Sequence, residues 1–197
     1  MIGIIEYGAG NIRSVSNALD RLNVQYFISN EHNKLNNADK LIFPGVGEAR
    51  SAMDALTRVG LTDWLKKVSV PFLGICLGMQ LLFERTTERS TDCLGLLTGT
   101  NERFSSEQSA LKVPHMGWNQ VQYKGNCPLF AGIAAGEHFY FVHSYYAPLV
   151  PATIGTTEYG VQFTSALQQK NYYGVQFHPE KSGTIGLQLL KNFVELC

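Results

Sequence analysis

The chain has 197 residues, of which 45% are hydrophobic and 16% are charged, with 16 basic and 16 acidic side chains. This charge balance offers no basic surface to nucleic acid or to an anionic membrane, and no apolar run approaches the length of a membrane span. The length suits one globular core, so we expect a single domain over residues 1–197.

The start of the chain and its cysteines bear on location. Met1 leads directly into a strand-like run without a basic leader, so we expect no signal peptide. The four cysteines include no CxxC pair and are too scattered for a disulfide framework. We therefore expect free thiols and a cytoplasmic protein.

The first half of the chain alternates short apolar runs with helical patterns. The runs MIGIIEY, VQYFIS, KLIFPG and PFLGIC predict strands. Helices are predicted near Ile12 to Leu22, near Ala49 to Lys67, and from Leu77 to about Arg85. This β-α-β-α order predicts a doubly wound parallel sheet, in which ligands bind beyond the carboxyl ends of the strands.

The second half, from about Leu94, has a different texture. The strand-like segments NQVQY, HFYFVHSYYA, TIGTTEY and YYGVQF are separated by Gly, Pro and Asn, and a closing helix is predicted at Thr184 to Leu196. We expect an α/β fold in which a mostly parallel central sheet with flanking helices continues into a more antiparallel C-terminal portion. No repeat or linker marks a domain boundary.

The segment GVQFHPEKS, residues 174–182, places His178 and Glu180 two positions apart with Pro179 between them. Pro179 disfavours a helical conformation at His178, so we expect an extended segment in which positions i and i+2 share a face. The carboxylate can then orient the imidazole. A histidine oriented in this way serves a nucleophile or a metal ion.

Cys76 offers the nucleophile. It ends the apolar run PFLGIC, and glycines at 74 and 78 flank it in the pattern G-x-C-x-G. This is the pattern of a strained nucleophile elbow, which exposes the sulfur at the positive end of the following helix and favours the thiolate. The alternative for a lone free cysteine is a buried structural role.

A zinc site would be another use of cysteine, histidine and glutamate. Such a site normally shows a further closely spaced pair of ligands, and the sequence has none, so we expect no metal. His32, His115 and His138 are isolated in the sequence, and surface or packing roles are expected for them.

The segment LIFPGVGEA, residues 41–49, can supply backbone donors to an oxyanion. Gly45 and Gly47 end an apolar strand and free the backbone to turn amides outward. The N–H of Leu77, directly after the cysteine, is the natural second donor. Taken alone, PGVG is also compatible with a purely structural turn.

Three of these segments, GICLGMQ, FPGVG and GVQFHPEKS, together resemble the class I, or triad, glutamine amidotransferases. EYGAGN, PHMGWN, YFVHSYYA and GTTEYG narrow the resemblance to the glutaminase subunits of imidazole glycerol phosphate synthases. These motifs cover the chain in order from residue 6 to residue 182. The resemblance implies a flavodoxin-like class I glutamine amidotransferase fold and hydrolysis of L-glutamine to L-glutamate and ammonia, and we expect no cofactor.

The resemblance also implies roles for individual residues. Cys76 is the implied nucleophile, His178 the base and later the acid, and Glu180 the group that orients and charges the ring. The implied oxyanion strand is Gly45, Val46 and Gly47 with the N–H of Leu77, and the implied substrate contacts are Gln80, Ser144 and Tyr145.

A partner is implied as well. It is a cyclase with a (β/α)₈-barrel fold that uses the ammonia to form imidazole glycerol phosphate and AICAR in histidine biosynthesis. Ammonia released into water is lost, so a heterodimer with a shielded path is expected. The residues of family motifs near the expected docking face are Asn11, Met116, Trp118, Tyr140 and Lys181. Trp118 is equally compatible with a core position.

Other functions compete with this one. One is dinucleotide binding. IIEYGAGNIR follows a first strand and opens a helix, and Glu31 lies about where the acidic residue that binds the ribose is expected. Arg13, however, replaces the third glycine of the dinucleotide-binding fingerprint. Glutaminases of purine, anthranilate or pyridoxal phosphate synthesis share the elbow, whereas PHMGWN and GTTEYG favour the imidazole-forming enzyme. A scaffold with a lapsed triad is disfavoured by the intact set.

Overall fold

A computed structural model describes residues 1–8, 10–105 and 111–197, so Ala9 of the EYGAGN motif lies outside the described residues. The central layer is a nine-stranded sheet. Its parallel part contains β1 (Ile2–Ile5), β2 (Tyr26–Ser29), β3 (Lys40–Gly45), β4 (Phe72–Cys76) and β13 (Tyr172–Val175).

The other half of this sheet is antiparallel. It contains β8 (His115–Tyr123), β9 (Glu137–His143), β11 (Thr153–Tyr159) and β12 (Val161–Gln169). The order across the sheet is β2-β1-β3-β4-β13-β12-β11-β8-β9. The expected parallel sheet with an antiparallel C-terminal portion is therefore confirmed, and β13 is the point where the two parts join.

A second, four-stranded sheet was not anticipated. It has the order β10-β7-β5-β6 and is built from β5 (Phe83–Thr86), β6 (Thr91–Asp92), β7 (Leu97–Arg103) and β10 (Tyr145–Tyr146). This sheet brings the segment after β9 close to the segment after β4, which matters for the site described below.

Helices cover both faces of the central sheet. On one face, α1 (Ile12–Arg21) and α6 (Gly183–Leu196) contribute Val15, Leu19 and Phe193 to one hydrophobic cluster. The other face is covered by α3 (Ala49–Arg58) with two short helices, α2 (His32–Leu35) and α4 (Thr62–Leu65), which pack into a second cluster. Among the helices described here, none has the length and apolar character needed to cross a bilayer.

The helix expected near Ala49 to Lys67 is interrupted. Gly60 adopts a φ of +72°, a left-handed conformation that ends helices, and its N–H donates to the Thr57 carbonyl. The prediction of one continuous helix was wrong because the apolar periodicity runs across this cap into α4.

The prediction of a helix from Leu77 to about Arg85 was also wrong. The helix α5 covers only Leu77–Gln80, and β5 follows. Leu81, Leu82 and Phe83 are completely buried, so this run has no polar face. Their carbonyls accept from the amides of residues 94–97, and these bonds replace further helical turns.

The carboxyl ends of β3, β4 and β13 lie side by side. Gly45 pairs with Cys76 across β3 and β4, and Val175 pairs with Ile75 across β13 and β4. β13 ends at Val175, shortly before His178. The sheet therefore brings the PGVG segment, Cys76 and the segment of His178 to one edge.

Candidate active site

Cys76 occupies a strained turn. Its φ of 54° and ψ of −111° are unusual for a residue with a side chain, and strain of this kind concentrates at functional sites. The neighbouring glycines are required by close packing. A Cβ on Gly78 would lie 2.0 Å from the Phe43 carbonyl oxygen, and a Cβ on Gly45 would lie 2.5 Å from the Gly78 nitrogen. The expected nucleophile elbow is thus packed directly against β3.

His178 and Glu180 form a buried pair. The imidazole Nδ1 is 2.8 Å from the Glu180 Oε1, and the two side chains are 1% and 0% exposed. The contact is made differently from our expectation of an extended chain, because Pro179–Lys181 forms a 3-10 turn after an extended His178. Asn11 Nδ2 donates to the same carboxylate oxygen at 3.2 Å. Asn11 was expected at the docking face, and it contacts the pair as well.

The backbone of His178 is tied to the edge strand β9. Its N–H donates to the Tyr140 carbonyl at 2.9 Å, and Tyr140 N–H donates to Ser182 Oγ at 3.0 Å. Ser182 Oγ in turn donates to the His178 carbonyl at 2.6 Å. The position of the imidazole therefore depends on β9.

Cys76 and His178 line the same pocket, which has a volume of about 300 Å³. Burial lowers the pKa of His178, but the Cys76 sulfur and the Glu180 carboxylate outweigh it, and the pKa is raised to about 10. His178 Nε2 is buried, and it has no hydrogen-bond partner within bonding distance among the described atoms. The arrangement favours an imidazolium on His178 beside the sulfur.

The sulfur has two further polar neighbours. Gln176 Nε2 lies 3.7 Å from Cys76 Sγ, and the Val142 carbonyl oxygen lies 3.9 Å from it. An amide donor aimed at the sulfur stabilises negative charge there. Gln176 was not singled out from the sequence, although it stands two positions before His178 in the motif that was.

The oxyanion candidates occupy one wall of the pocket. Val46, Gly47 and Leu77 line it, whereas Gly45 lies behind them as the sheet partner of Cys76. Gly47 has a φ of +92°, and a Cβ built on it meets no atom within 4 Å. The preceding segment is held by Tyr7, whose hydroxyl donates to the Pro44 carbonyl at 3.1 Å.

The three expected substrate contacts, Gln80, Ser144 and Tyr145, also line the pocket. Gln80 Nε2 donates to the Tyr145 carbonyl at 2.7 Å and to Gln176 Oε1 at 2.8 Å. Both amide hydrogens of Gln80 are therefore used within the protein, and its Oε1 is the atom that it can offer to a ligand.

Two further pocket residues were missed. Glu88 brings a carboxylate to the pocket and accepts from the Ala49 N–H at 2.7 Å. Its sequence context, ERTTERS, gives no signal, because the turn after β5 delivers it. His143 lies inside the recognised YFVHSYYA segment and was not assigned a role of its own.

The residues expected at the docking face have different exposures. Met116 and Trp118 are 63% and 56% exposed on β8, so the alternative core position for Trp118 was wrong. Tyr140 makes an edge-on contact with Trp118, with ring centroids 6.1 Å apart, and Lys181 is exposed at the end of the 3-10 turn that follows His178. Alternation along β8 explains Trp118, because its neighbours of the same face also point outward.

Comparison with known proteins identifies the family. The family model described as "Glutamine amidotransferase class-I" matches residues 4–197. The chain belongs to the class I glutamine amidotransferases. This membership supports a glutamine amidotransferase enzyme and leaves the dinucleotide fingerprint near Gly10 without support.

Two curated relatives of this amidotransferase carry the same name. The chain is 49% identical over 192 residues to the imidazole glycerol phosphate synthase subunit HisH of Mannheimia succiniciproducens, covering 98% of each protein. It is 47% identical to the subunit HisH of Methanocaldococcus jannaschii over 201 residues, covering 100% of each. The narrower resemblance noted from PHMGWN and GTTEYG agrees with these names.

Solved structures share the amidotransferase fold. A glutamine amidotransferase crystal structure superposes with a TM-score of 0.75 at 21% identity, covering 99% of this chain and 97% of that one. A glutamine amidotransferase from Thermotoga maritima gives a TM-score of 0.64 at 17% identity, covering 98% of this chain and 80% of that one. These similarities establish the fold, and the expected fold class is confirmed.

Proposed function

We propose that the chain is the single-domain, cytoplasmic glutaminase subunit of an imidazole glycerol phosphate synthase. It hydrolyses L-glutamine to L-glutamate and ammonia and supplies the ammonia to a cyclase subunit in histidine biosynthesis. The observation that carries the proposal is a cysteine, a histidine and a glutamate around one pocket, in a chain 46–49% identical to full-length HisH subunits.

The chemistry follows from the charge state of the pair. The Cys76 thiolate attacks the side-chain amide carbon of glutamine, and the carbonyl oxygen becomes an oxyanion. The His178 imidazolium donates its proton to the departing nitrogen, so ammonia leaves and a thioester remains. The neutral imidazole then takes a proton from water, and the resulting attack releases glutamate and returns the thiol. Glu180 holds the ring through Nδ1 during both steps.

The oxyanion is assigned to backbone donors at Leu77 and at Val46 or Gly47. One well-aimed donor contributes roughly 3 kcal/mol to the transition state, about a hundredfold in rate. Gly47 has a left-handed φ and open space around it, so a change in its peptide orientation costs little. We propose that binding of the partner and its ligand sets this orientation.

Glutamine would be held by its α-substituents at the far end of the pocket. The Glu88 carboxylate and the free Oε1 of Gln80 suit the α-ammonium group. Ser144 and Tyr145 suit the α-carboxylate through N–H or O–H donors. The site needs no cofactor or metal for these steps.

The docking face is proposed to be the exposed apolar pair Met116 and Trp118, with Tyr140, Lys181 and Asn11 beside it. Exposed aromatic and methionine side chains are favoured interface anchors. Through the Tyr140 carbonyl, this face is one hydrogen bond away from the His178 backbone. The partner is a (β/α)₈ cyclase that forms imidazole glycerol phosphate and AICAR, and the two make a heterodimer that shields the ammonia.

A glutaminase assay with and without the cyclase subunit and its nucleotide ligand tests the proposal. We expect little hydrolysis by the free chain and about a hundredfold more in the liganded complex, since one oxyanion donor accounts for that factor. Cys76→Ala should abolish hydrolysis, whereas Cys93→Ala, at a half-buried cysteine outside the pocket, should leave it unchanged.

Two outcomes would overturn the proposal. Retained hydrolysis in Cys76→Ala would remove the nucleophile. If the cyclase of histidine synthesis fails to stimulate hydrolysis while an anthranilate or purine synthase partner stimulates it, the chain is the glutaminase of another pathway.

A further inference from the structure

Two buried histidines, one lining the pocket and one behind it, have no part in the chemistry above. His115 on β8 and His143 on β9 are register partners, and His115 Nδ1 lies 2.9 Å from His143 Nε2. His115 was expected in a surface or packing role; it is buried, and its ring also contacts a second histidine. Aromatic rings surround both imidazoles: His115 is stacked between Phe141 and Tyr159, and His143 packs against Phe163.

The contacts of Asn119, on the side of His115 away from His143, determine which nitrogen of His115 carries the proton. Asn119 Oδ1 accepts from the Gln120 N–H at 2.8 Å, and Asn119 Nδ2 donates to the Glu158 carbonyl at 2.9 Å, so the orientation of the amide is determined. The same Nδ2 lies 3.2 Å from His115 Nε2. His115 Nε2 must therefore be an acceptor, and the proton of a neutral His115 is on Nδ1.

The inner end gives the same answer independently. His143 Nδ1 lies 2.7 Å from the Tyr145 carbonyl oxygen, which can only accept, so His143 Nδ1 carries a proton. His143 Nε2 is then free to accept from His115 Nδ1. Burial lowers the pKa of His115 to about 4 and that of His143 to about 3, which agrees with two neutral rings.

The chain of donors leads to the substrate end of the pocket. The Tyr145 carbonyl receives two donors, His143 Nδ1 at 2.7 Å and Gln80 Nε2 at 2.7 Å, which use both of its lone pairs. If the His143 donor is lost, one of the two donors that orient this carbonyl is removed, and the anchor that aims Gln80 Oε1 into the pocket is weakened.

We propose that His115 and His143 are positioning residues: a neutral pair, both protonated on Nδ1, that fixes the Tyr145 peptide and through it the glutamine-binding side of the pocket. The proposal rests on the proposed glutaminase function. It assigns the pair to ground-state binding of the α-substituents of glutamine, because Gln80 and Tyr145, which the pair anchors, lie at that end of the pocket.

Neutrality also protects the catalytic pair. His178 lies near enough to His143 to lower the pKa of that ring, so a positive charge on His143 would be opposed by the imidazolium on His178. The hydrogen bonds of the pair prevent this. A second proton would be on Nε2 of either ring, where it would point at the Asn119 Nδ2 donor in His115 and at the Nδ1–H of His115 in His143.

Nitrogen-15 NMR of the histidine rings tests the pair directly in the unmodified protein. We expect His115 and His143 to show protonated Nδ1 and unprotonated Nε2, unchanged between about pH 5 and pH 8, with the signals of the exposed His32 and His138 as the comparison. A proton on Nε2 of either ring, or protonation of either ring in this range, would overturn the proposal.

Kinetics of the complex with the cyclase test the role. His143→Asn keeps a donor near the Nδ1 position, and His143→Leu has nearly the same size without a donor. We expect the KM for glutamine to rise about tenfold in His143→Leu with kcat within about threefold, and we expect His143→Asn to recover most of the loss, as one hydrogen bond accounts for such a factor. His138→Asn, at an exposed histidine on the same strand, is the control.

The outcomes separate the possible failures. Equal KM values for His143→Leu and His143→Asn, or a loss confined to kcat, would overturn the positioning role. If both variants unfold, the NMR result decides. If the unmodified complex does not hydrolyse glutamine, the proposed function fails, and the ring protonation still reports on the pair by itself.

Discussion

The two sides of the pocket are built in opposite ways. On the nucleophile side, side chains are excluded by contact, since a Cβ on Gly45, Gly74 or Gly78 would lie within 2.0–2.7 Å of backbone atoms. On the oxyanion side, Gly47 has a left-handed backbone, and a Cβ there would have no atom within 4 Å. Packing thus fixes the sulfur, whereas the peptide at Gly47, the proposed oxyanion donor, meets no such contact, so we expect activity to be controlled on that side.

The largest effect is expected from Gly78→Ala on the packed side. The new methyl group would overlap the Phe43 carbonyl oxygen, so β3 and α5 must separate. We expect a loss of at least about 3 kcal/mol in unfolding free energy and no glutaminase activity. Urea denaturation and the glutaminase assay measure both; Gly95→Ala, which meets no atom but carries a positive φ, controls for glycine loss elsewhere. A stable, active Gly78→Ala protein would contradict the packing account.

Gly47→Val tests the open side. A β-branched residue disfavours a φ of +92° by about 1–2 kcal/mol but causes no clash. We expect stimulation by the partner to be lost, with only a small change in melting temperature. Gly125→Val, with a φ of +84° and equally open surroundings, is the matched control. Unaltered stimulation would show that the orientation of this peptide does not control the rate.

Trp118→Ala tests whether the exposed aromatic side chain on β8 belongs to the interface with the cyclase. Truncating an exposed aromatic anchor should weaken binding of the cyclase by about 2 kcal/mol, roughly thirtyfold in Kd, and leave the free chain stable. Titration calorimetry measures the Kd. Leu149→Ala, at a similarly exposed leucine outside the proposed face, should bind normally. Equal affinities for the two variants would exclude Trp118 from the interface.

The smallest effect concerns the charge on the packed side. The pKa of His178 is raised to about 10, so we expect the ring to stay protonated through neutral pH and activity to fall as the pH rises towards 10. Cys76→Ala removes the sulfur that raises the pKa of His178. Burial, which lowers this pKa, is then opposed mainly by the Glu180 carboxylate. The pKa should then fall by at least about one unit, worth about 1.4 kcal/mol. NMR titration of His178 in the two proteins tests this, and identical titrations would exclude the thiolate–imidazolium pair.

Local patterns in the sequence predicted the parts of the site that lie at strand ends. Cys76, Val46, Gly47 and His178 each follow an apolar run directly, and a parallel sheet brings such positions together without further information. Their catalytic roles stay predictions until the variants are assayed. The general fold was predictable for the same reason.

Long-range pairing was not predictable from local patterns. Glu88 reaches the pocket because it follows β5 in the small sheet of β5, β6, β7 and β10. This sheet was not predicted, because a helix was expected from Leu77 to about Arg85. A fully buried run such as Leu81 to Phe83 lacks the periodicity that separates helix from strand. The pairing of His115 with His143 likewise depends on the register of β8 and β9, over 28 residues of chain.

The tie between His178 and β9 has a practical consequence. Because the His178 N–H bonds to the Tyr140 carbonyl, and Tyr140 packs against the exposed Trp118, a small aromatic compound wedged between those two rings would pull on the backbone of the imidazole. Such an inhibitor would act without resembling glutamine.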